Sequence, residues 1–588
     1  MDRKNLILGV GCIVGAFALF FLARPAPTAP AEPAPIQTLG STPSPAPSKP
    51  VVPAESSLKA APGNAVEVPA DKAVKYVRST KTMKVSFTSR GGAIDQIELL
   101  REFADTDKNH NVIFNAQGAE GALALAVQNP ITKQLEVVHT EFKPEGAETA
   151  EAITLVGHLA DGTRVVRTFT LAREGADAPE PYSLRFSTQL FPAKPGMGVP
   201  KVWLTSGSWQ PTKGDAANQF LSVLASDGED LTRTGIDVFT DSSGFFGLGA
   251  RKAKTEQAVV APKPFAWVAS GNQFFASIIH PDATVRGARS EVLVKPVEFA
   301  PGKRGLQALA SWESPVRPDF SMALEGDFFV GPKEYARVSN LPDGQVAVLQ
   351  FSKLFGFISF GAICKLLLAC LGGVHYLLNW AGSWAWGWAI VALTVFIKLI
   401  TWPLTSAQQK AAKKMQKFGQ PMKDIREKYK DNPEKMNKEL MKLYQEHQIN
   451  PFAGCLPILI QMPIFFGLYT AFQTTVELRL HSFLWISDLS APDTLFLVGS
   501  FPFNLLPILM GLSMWQSMRM TPNPSADESQ KMIFLMMTLM FPVICYGSPA
   551  ALTLYMTLQN LLTMLQTWLT KEPNVEVIPP ASKKKVRS

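Results

Sequence analysis

The sequence predicts a polytopic α-helical membrane protein with a large all-β domain outside the membrane. Discrete apolar blocks approach the length of about 20 residues that a bilayer-spanning helix needs. Another long region alternates apolar and polar residues with a period of two, which is typical of strands. The net charge is +8, and the Lys and Arg gather beside the apolar blocks. This placement favours membrane topology over nucleic-acid binding.

Residues 1–24 are predicted to be an N-terminal transmembrane anchor. The apolar run Leu6–Leu22 follows Arg3 and Lys4. A cleaved signal peptide is the alternative, but its apolar core is usually shorter and ends in a small-x-small site, which this run lacks. Residues 25–72 are rich in Pro, Ala, Ser and Thr, a composition that cannot bury a core and predicts an extended linker.

Residues 73–345 are predicted to form a β-sandwich-like domain. Its alternating runs include MKVSFTS, YSLRFSTQL, FAWVAS and FFASIIH, and Asp161–Gly162 predicts a hairpin turn within HLADGTRVVRTFTL. The region shows no cluster of His, Cys or paired carboxylates with the spacing of a site, and all five cysteines lie in or beside apolar segments. The sequence therefore predicts no metal centre, no cofactor and no disulfide framework.

The C-terminal part begins with an apolar segment, 351–380, that carries Lys353 and Lys365. We expect an amphipathic helix on the outer membrane surface, and a transmembrane helix is the alternative. Five predicted spans follow. They cover residues 384–404, 455–475, 501–518, 532–546 and 551–569.

Charge sets the predicted orientation. The insert 405–450 has eleven Lys and Arg against six Asp and Glu, whereas the loop 476–500 has one Arg against three acids. The insert is therefore expected in the cytoplasm and the loop outside. With six spans, both termini, the loop 519–531 and the basic tail 570–588 are also cytoplasmic, and the β domain is outside.

The cytoplasmic insert has two apolar a/d seams joined by a turn at Asp431-Asn432-Pro433, which predicts an antiparallel helical hairpin. Its charges fit either a solvated surface or a docking surface for ribosomal RNA or lipid headgroups.

Lys398 is a charged residue inside the first of the five spans, where a charge costs at least a few kcal/mol. Thr394 lies one turn earlier, and the second span adds Gln461. The last span has a polar stripe at Thr553, Thr557, Asn560, Thr563 and Thr567. Either Lys398 snorkels to the nearby interface, or these residues together line a hydrated cavity.

Two methionine stripes have the opposite character. They comprise Met510, Met514 and Met518 in one span and Met532, Met536 and Met540 in the next. Ordinary packing is one interpretation, and a pliable surface that receives varied apolar segments is the other.

Four stretches make the sequence resemble the YidC, Oxa and Alb family of membrane-protein insertases. They are WPLTSAQ, NPFAGCLPILIQMPIFFGLY, LPILMGLSM and TLYMTLQNLLTMLQ. The resemblance implies a five-helix core in the bacterial inner membrane, with a hydrophilic groove open to the cytoplasm and lipid. It also implies the β-supersandwich outer domain of Gram-negative members. The implied partners are nascent membrane proteins, the ribosome, the Sec translocon, the signal recognition particle with its receptor, and the lipid bilayer.

The resemblance also assigns groove residues. It implies Lys398, Thr394, Gln461, Tyr555 and Thr563, with lysine standing where Gram-negative relatives generally have arginine. Lysine keeps the positive charge but lacks the planar fork of arginine. A second family tyrosine is replaced by methionine at position 556.

The predicted function is an insertase and chaperone without catalysis. A hydrophilic client segment is drawn to Lys398, and its apolar segment passes along the methionine-rich surface into lipid. No GxxxxGK[ST] loop is present, which disfavours an ATPase. A secondary transporter that uses Lys398 for coupling, and an outer sugar- or protein-binding module on an anchor, are the rival hypotheses.

Overall fold

The computed structural model describes residues 66–116, 120–146, 149–172, 180–212, 215, 218–241, 251–287, 289–300, 303–350, 353–354, 358–359, 361–447, 456–499, 501–520 and 528–570. The predicted anchor 1–24, most of the linker 25–72 and nearly all of the tail 570–588 lie outside these residues. The described chain is a β domain followed by a set of helices.

The β domain contains strands β1–β19, and two short hairpins add β20–β23 later in the chain. The bounds are β1 Lys75–Ser79, β2 Met83–Thr88, β3 Ile94–Phe103, β4 Asn111–Phe114, β5 Leu125–Gln128, β6 Leu135–Val137, β7 Phe142–Pro144, β8 Ala152–His158, β9 Arg164–Leu171, β10 Ser183–Phe191, β11 Val202–Thr205, β12 Ser222–Ser226, β13 Leu231–Gly235, β14 Gln257–Val259, β15 Trp267–Gly271, β16 Phe275–Pro281, β17 Ser290–Ala300, β18 Lys303–Trp312, β19 Met322–Pro332, β20 Lys353–Leu354, β21 Ile358–Ser359, β22 Thr494–Val498 and β23 Phe501–Asn504.

The strands form a β-sandwich. One sheet has nine strands in the order β13-β12-β15-β16-β19-β10-β9-β8-β7, and a second has six in the order β14-β17-β18-β11-β5-β6. A smaller sheet, β1-β2-β3-β4, completes the domain. The alternation of apolar and polar residues along the strands explains which side chains form the core. In β10, for example, Leu184, Phe186 and Leu190 all point inward. The predicted Asp161–Gly162 hairpin is confirmed, since β8 and β9 pair antiparallel and Gly162 has φ +87°.

The helices follow in chain order. They are α1 Tyr335–Val338, α2 Gly361–Leu377, α3 Ala385–Lys417, α4 Gly419–Lys428, α5 Pro433–Glu446, α6 Leu456–Thr474, α7 Leu505–Met520, α8 Glu528–Ile544 and α9 Ala550–Leu569. By length and composition, one helical stretch among the described residues, Asn379–Ala407, could cross a membrane. The predicted span 501–518 differs from expectation, because its first four residues form β23 and the helix begins only at Leu505.

The predicted helical hairpin is formed by α4 and α5. Met422 and Leu440 are buried between the two helices, with Met436 and Leu443 packed beside them. The Asn432 side chain caps α5 by accepting a hydrogen bond from the backbone N–H of Lys435 at 3.0 Å. The first seam is not one continuous helix, since α3 ends at Lys417 and α4 begins at Gly419.

The loop between α6 and α7 joins the ends of several helices. The backbone N–H groups of Ala550 and Ala551, at the start of α9, donate to carbonyls of this loop at 2.8 and 3.0 Å. The Asp493 carboxylate accepts from the N–H of Leu506 in α7 at 2.7 Å. At the start of α3, Gly387 leaves room for the ring of Phe483, since any Cβ there would lie 2.1 Å from it. One end of the helical core is thus fixed by one segment.

The same loop joins the helices to the β domain. Val476 is buried in the core of that domain. The Glu477 carboxylate accepts from the backbone N–H of Tyr335 at 2.9 Å, and its burial raises its pKa. The Arg479 guanidinium donates to the carbonyls of Phe103 and Ala104. These contacts hold the β domain at the end of the core opposite to the α4–α5 hairpin.

Lys333 is a buried cation close to this junction. Its side chain is 3% exposed, and its ammonium donates to the carbonyl of Asn272 at 2.6 Å. Burial, together with the nearby charge of Arg233, lowers the pKa of Lys333 to about 7. Unfolding would restore the ordinary pKa of 10.5, so above pH 7 the unfolded chain binds more protons than the folded one.

We expect the β domain to become more stable as the pH rises from 7 to 9, by at most about 1.4 kcal/mol per pH unit. Lys333→Met should remove most of this rise, because no proton is then taken up at this position on unfolding. Pulse proteolysis of the full chain in urea at each pH measures the effect. Lys84→Met, at a half-exposed lysine of β2, is the control. If the free energy of unfolding of Lys333→Met rises with pH as steeply as that of the wild type, Lys333 is not the group that causes the rise.

Candidate functional site

Lys398 lies on α3 and contacts α9. Its side chain is 3% exposed, and its ammonium donates a 2.9 Å hydrogen bond to the hydroxyl of Thr563. That hydroxyl itself donates to the carbonyl of Gln559 at 2.7 Å, as a threonine on a helix commonly does. Two of the predicted groove residues are therefore in direct contact. The lysine does not snorkel freely to a surface in this structure.

A second cluster of polar side chains joins the same two helices further along. The Gln566 amide is fully buried and donates to the hydroxyls of Thr405 at 2.8 Å and Ser406 at 3.0 Å. Gln409 donates to the hydroxyl of Thr567 at 3.1 Å and accepts from Thr570 at 2.8 Å. We call Lys398, Thr405, Ser406 and Gln409 with Thr563, Gln566, Thr567 and Thr570 the polar seam.

The polar seam fixes the relative direction of the two helices. Its bonds join Lys398 to Thr563, Thr405 to Gln566 and Gln409 to Thr570, so residue numbers increase together on both helices. Helices α3 and α9 are therefore parallel and begin at the same end of the core. This end is the one that carries the β domain.

The sequence did not single out Gln566 or Gln409. A signal was present, because Thr401, Thr405 and Gln409 recur every four residues beyond Lys398 and so share one face of α3. Thr405 lies in the WPLTSAQ stretch that carries the family resemblance, and Gln409 follows it. The visible role of these two residues is to bond α3 to α9, whereas the Thr401 hydroxyl donates to carbonyls of its own helix.

Gln461 and Tyr555 form a second contact, between α6 and α9. The Gln461 amide donates to the buried Tyr555 hydroxyl at 2.8 Å. Tyr555 lies eight residues before Thr563, or about 12 Å along the helix axis. Thr394 is completely buried, and its hydroxyl donates to the carbonyl of Ile390 on its own helix at 2.7 Å. The five predicted groove residues are thus two bonded pairs and one threonine bonded to its own helix.

The rest of the polar stripe on α9 has several partners. Thr553, Thr557 and Thr567 each donate to a carbonyl of their own helix. Asn560 instead donates to Ser513 of α7 at 3.1 Å. The stripe therefore contacts more than one neighbouring helix, and Thr563 is its member that bonds to Lys398.

The methionine stripes differ in exposure. Met510 is fully buried, so it cannot belong to an exposed surface in this structure and fits the packing interpretation. Met514, Met518 and Met536 are half-buried, and the Thr538 hydroxyl lies 3.8 Å from the sulfur of Met518. Met532 is 47% exposed. Of the two methionine stripes, the one on α8 therefore carries the exposed side chain.

Within the described part of the chain, no three His, Cys, Asp or Glu side chains are grouped so that they could hold a metal ion. The chemistry that the site offers is one positive charge with uncharged hydrogen-bonding groups around it.

We expect Gln566→Leu to weaken the pairing of α3 with α9 by about 1–2 kcal/mol, because it leaves buried hydroxyls and a carbonyl without their partner. Steric trapping in bicelles measures this free energy. Gln559→Leu is the matched control on the same helix, since the Gln559 side-chain oxygen is buried without a hydrogen-bond partner among the described residues. Equal losses of pairing free energy in Gln566→Leu and Gln559→Leu would contradict a stabilising role of the polar seam.

Comparison with known proteins gives a consistent result. The model of the family described as 60Kd inner membrane protein matches residues 376–576. Membrane protein insertase YidC of Ralstonia nicotianae is 30% identical over 542 residues, covering 90% of this chain and 89% of the relative. The insertase of Dechloromonas aromatica is 28% identical and covers 97% of both chains. A crystal structure of an active YidC insertase is 19% identical, with 86% and 94% coverage and a TM-score of 0.33. The chain belongs to the YidC family of membrane protein insertases.

Proposed function

We propose that α3, α6, α7, α8 and α9 cross the inner membrane and that residues 1–24 add a sixth span. In support, the side chains that these helices expose are largely apolar. They include Val395, Phe396, Leu399 and Ile400 on α3, Leu512 and Trp515 on α7, Leu539 and Val543 on α8, and Leu561 and Leu565 on α9. The polar side chains of Lys398, Asn560 and Gln566 are instead turned toward neighbouring helices. This is the distribution that a lipid environment favours.

The orientation follows from charge and from the two ends of the core. The β domain and the acidic loop lie at the end where α3 and α9 begin, and the α4–α5 hairpin follows the other end of α3. The positive-inside rule then assigns the hairpin to the cytoplasm and the β domain to the periplasm. Both termini are cytoplasmic in this arrangement.

Lys398 is the proposed attraction site for a hydrophilic client segment. An ammonium has three N–H donors, and among the described residues Thr563 takes one of them. Two remain for water or for an acidic or polar client group. Because the side chain is 3% exposed, a client reaches it only when helices beside the polar seam move apart. The parts of the seam beyond Lys398 would keep α3 and α9 together during such a movement.

The apolar segment of the client would leave along α8 and the adjoining face of α6. Exposed side chains there include Met462, Met532, Leu535, Met537 and Leu539. Met514, Met518 and Met536 border this surface as half-buried side chains. Transfer of apolar area out of water supplies the driving force, at roughly 25 cal/mol per Å². The reaction therefore needs no bond-forming catalytic group and no cofactor.

The charged residues of the proposed cytoplasmic insert are unevenly distributed, and their distribution indicates which partners the insert would bind. Residues 410–417 carry four lysines and no acid, whereas residues 419–447 carry seven Lys and Arg against six Asp and Glu. The excess charge thus lies where α3 leaves the membrane, which favours anionic lipid headgroups as its partner. Contacts with the ribosome, the Sec translocon and the signal recognition particle with its receptor are proposed from family membership. The α4–α5 hairpin is the cytoplasmic element that could provide them.

The decisive observation is a buried cation that faces a single threonine hydroxyl. We expect Lys398→Arg to keep most insertion, Lys398→Ala to reduce it on the order of tenfold, equivalent to about 1.4 kcal/mol, and Lys398→Glu to reduce it further. The assay is protease protection of a single-span client with an acidic outer tail, inserted into vesicles that contain only this protein.

Thr563→Val is the matched control, because it removes the hydrogen bond and leaves the charge. Insertion should fall less in Thr563→Val than in Lys398→Ala if the charge acts on the client. Wild-type insertion by Lys398→Glu would exclude attraction by the charge, and a larger loss in Thr563→Val would assign Lys398 a structural role.

A further inference from the structure

The hairpin β22–β23 is the most exposed apolar element near the helical core. Every residue of β22 is exposed, and Phe496, Leu497, Val498 and Phe501 are 55–65% exposed. Successive strand residues point to opposite faces, so Leu497 and Val498 make both faces of the hairpin apolar. A strand pair of this kind in water would invite aggregation.

The base of the hairpin is firmly held. The Thr494 hydroxyl donates to the Asn504 amide oxygen at 2.7 Å, and the Asn504 amide donates to the carbonyl of Tyr546 at 2.7 Å. The Tyr546 hydroxyl in turn donates to the carbonyl of Pro502 at 2.8 Å. Its ring stacks on Phe501, with the ring centroids 5.3 Å apart. The apolar surface is therefore a preformed part of the core and not a loose loop.

The hairpin continues directly into α7. Asn504 ends β23 and Leu505 begins the helix, whose exposed face carries Ile508, Leu512 and Trp515. Helix α7 has 16 residues and so is about 24 Å long, shorter than the hydrocarbon core of about 30 Å. A span shorter than the hydrocarbon core is accommodated by local thinning of the bilayer, so β23, which joins the outer end of α7, can lie at the level of the headgroups.

The unpaired edges of the hairpin limit its depth. A two-stranded sheet has no strand beyond either outer edge, so apart from the contacts of Tyr546 with β23, the edge N–H and C=O groups of this hairpin have no ladder partner in the described sheet. Such edges do not occur exposed to lipid within the hydrocarbon region, where nothing can bond to them. At the level of the headgroups, water and lipid phosphates can pair with the edges while the side chains reach acyl chains.

We propose that β22–β23 is immersed in the interface of the outer leaflet and binds lipid there, which sets the depth of α7 and of the helices joined to its base. The proposal rests on the transmembrane arrangement put forward above. Lipid is the favoured partner because β23 leads directly into α7, whose exposed apolar face that arrangement puts in contact with acyl chains.

Photocrosslinking of the full chain tests the proposal. A benzophenone amino acid is placed at Leu497 in the hairpin, at Leu512 on the exposed face of α7, or at Ile131, an exposed residue of the β domain. Each protein is reconstituted into vesicles of phosphatidylethanolamine and phosphatidylglycerol and illuminated. Adducts are identified by mass spectrometry, and the same variants are illuminated in native membranes.

We expect lipid adducts at positions 497 and 512 in similar yield, and a several-fold lower yield at 131. Lipid adducts at 512 but not at 497 would overturn the hairpin proposal and leave the transmembrane arrangement intact. Absence of lipid adducts at 512 would instead overturn the arrangement itself. Crosslinking of 497 mainly to a second copy of the chain, or to another protein in native membranes, would also exclude lipid as the occupant.

Discussion

Polar groups buried between helices must find their hydrogen-bond partners within the protein, and the polar seam between α3 and α9 meets this constraint. Lys398 is paired with Thr563, and the buried Gln566 amide is paired with Thr405 and Ser406. Each bond holds α9 against α3. Helix α7 packs on α9 through Asn560 and Ser513, and α8 packs on α7 where Pro542 faces Gly511. The position of the exposed surface of α8 thus depends on the seam.

The end of the helical core beside the β domain is constrained in a different way. The loop after α6 inserts Val476 into the β domain, and its later residues bond to the first residues of α7 and α9. Helix ends on this side are therefore tied together, while α3 leads at its other end into the α4–α5 hairpin. The groove that the family resemblance implies, open to the cytoplasm and closed outside, would be consistent with this unequal support.

Much of this arrangement could be predicted from the sequence, since period-two alternation in the β domain and apolar length in the core are local signals. Lys398 and Thr563 were also found, because polar residues stand out in apolar runs. The hydrogen-bond partners of buried polar residues could not be predicted. Arg167 occupies an inward position of β9 and donates to the carbonyls of Gly91, Gly92 and Leu123, residues distant in sequence. Likewise, nothing local distinguishes the buried Met510 from the exposed Met532.

The lysine at position 398 fits the geometry around it. Thr563 offers one hydroxyl oxygen, and Gln461 is bonded to Tyr555. A planar guanidinium would gain little here, because its advantage lies in bidentate bonding to a carboxylate or phosphate. An ammonium is a compact charge with three donors that rotate together. It can keep Thr563 as one acceptor and turn the others toward water or a client. The proposed role of Lys398, to receive many unrelated client segments, requires this tolerance of direction more than it requires one fixed pairing.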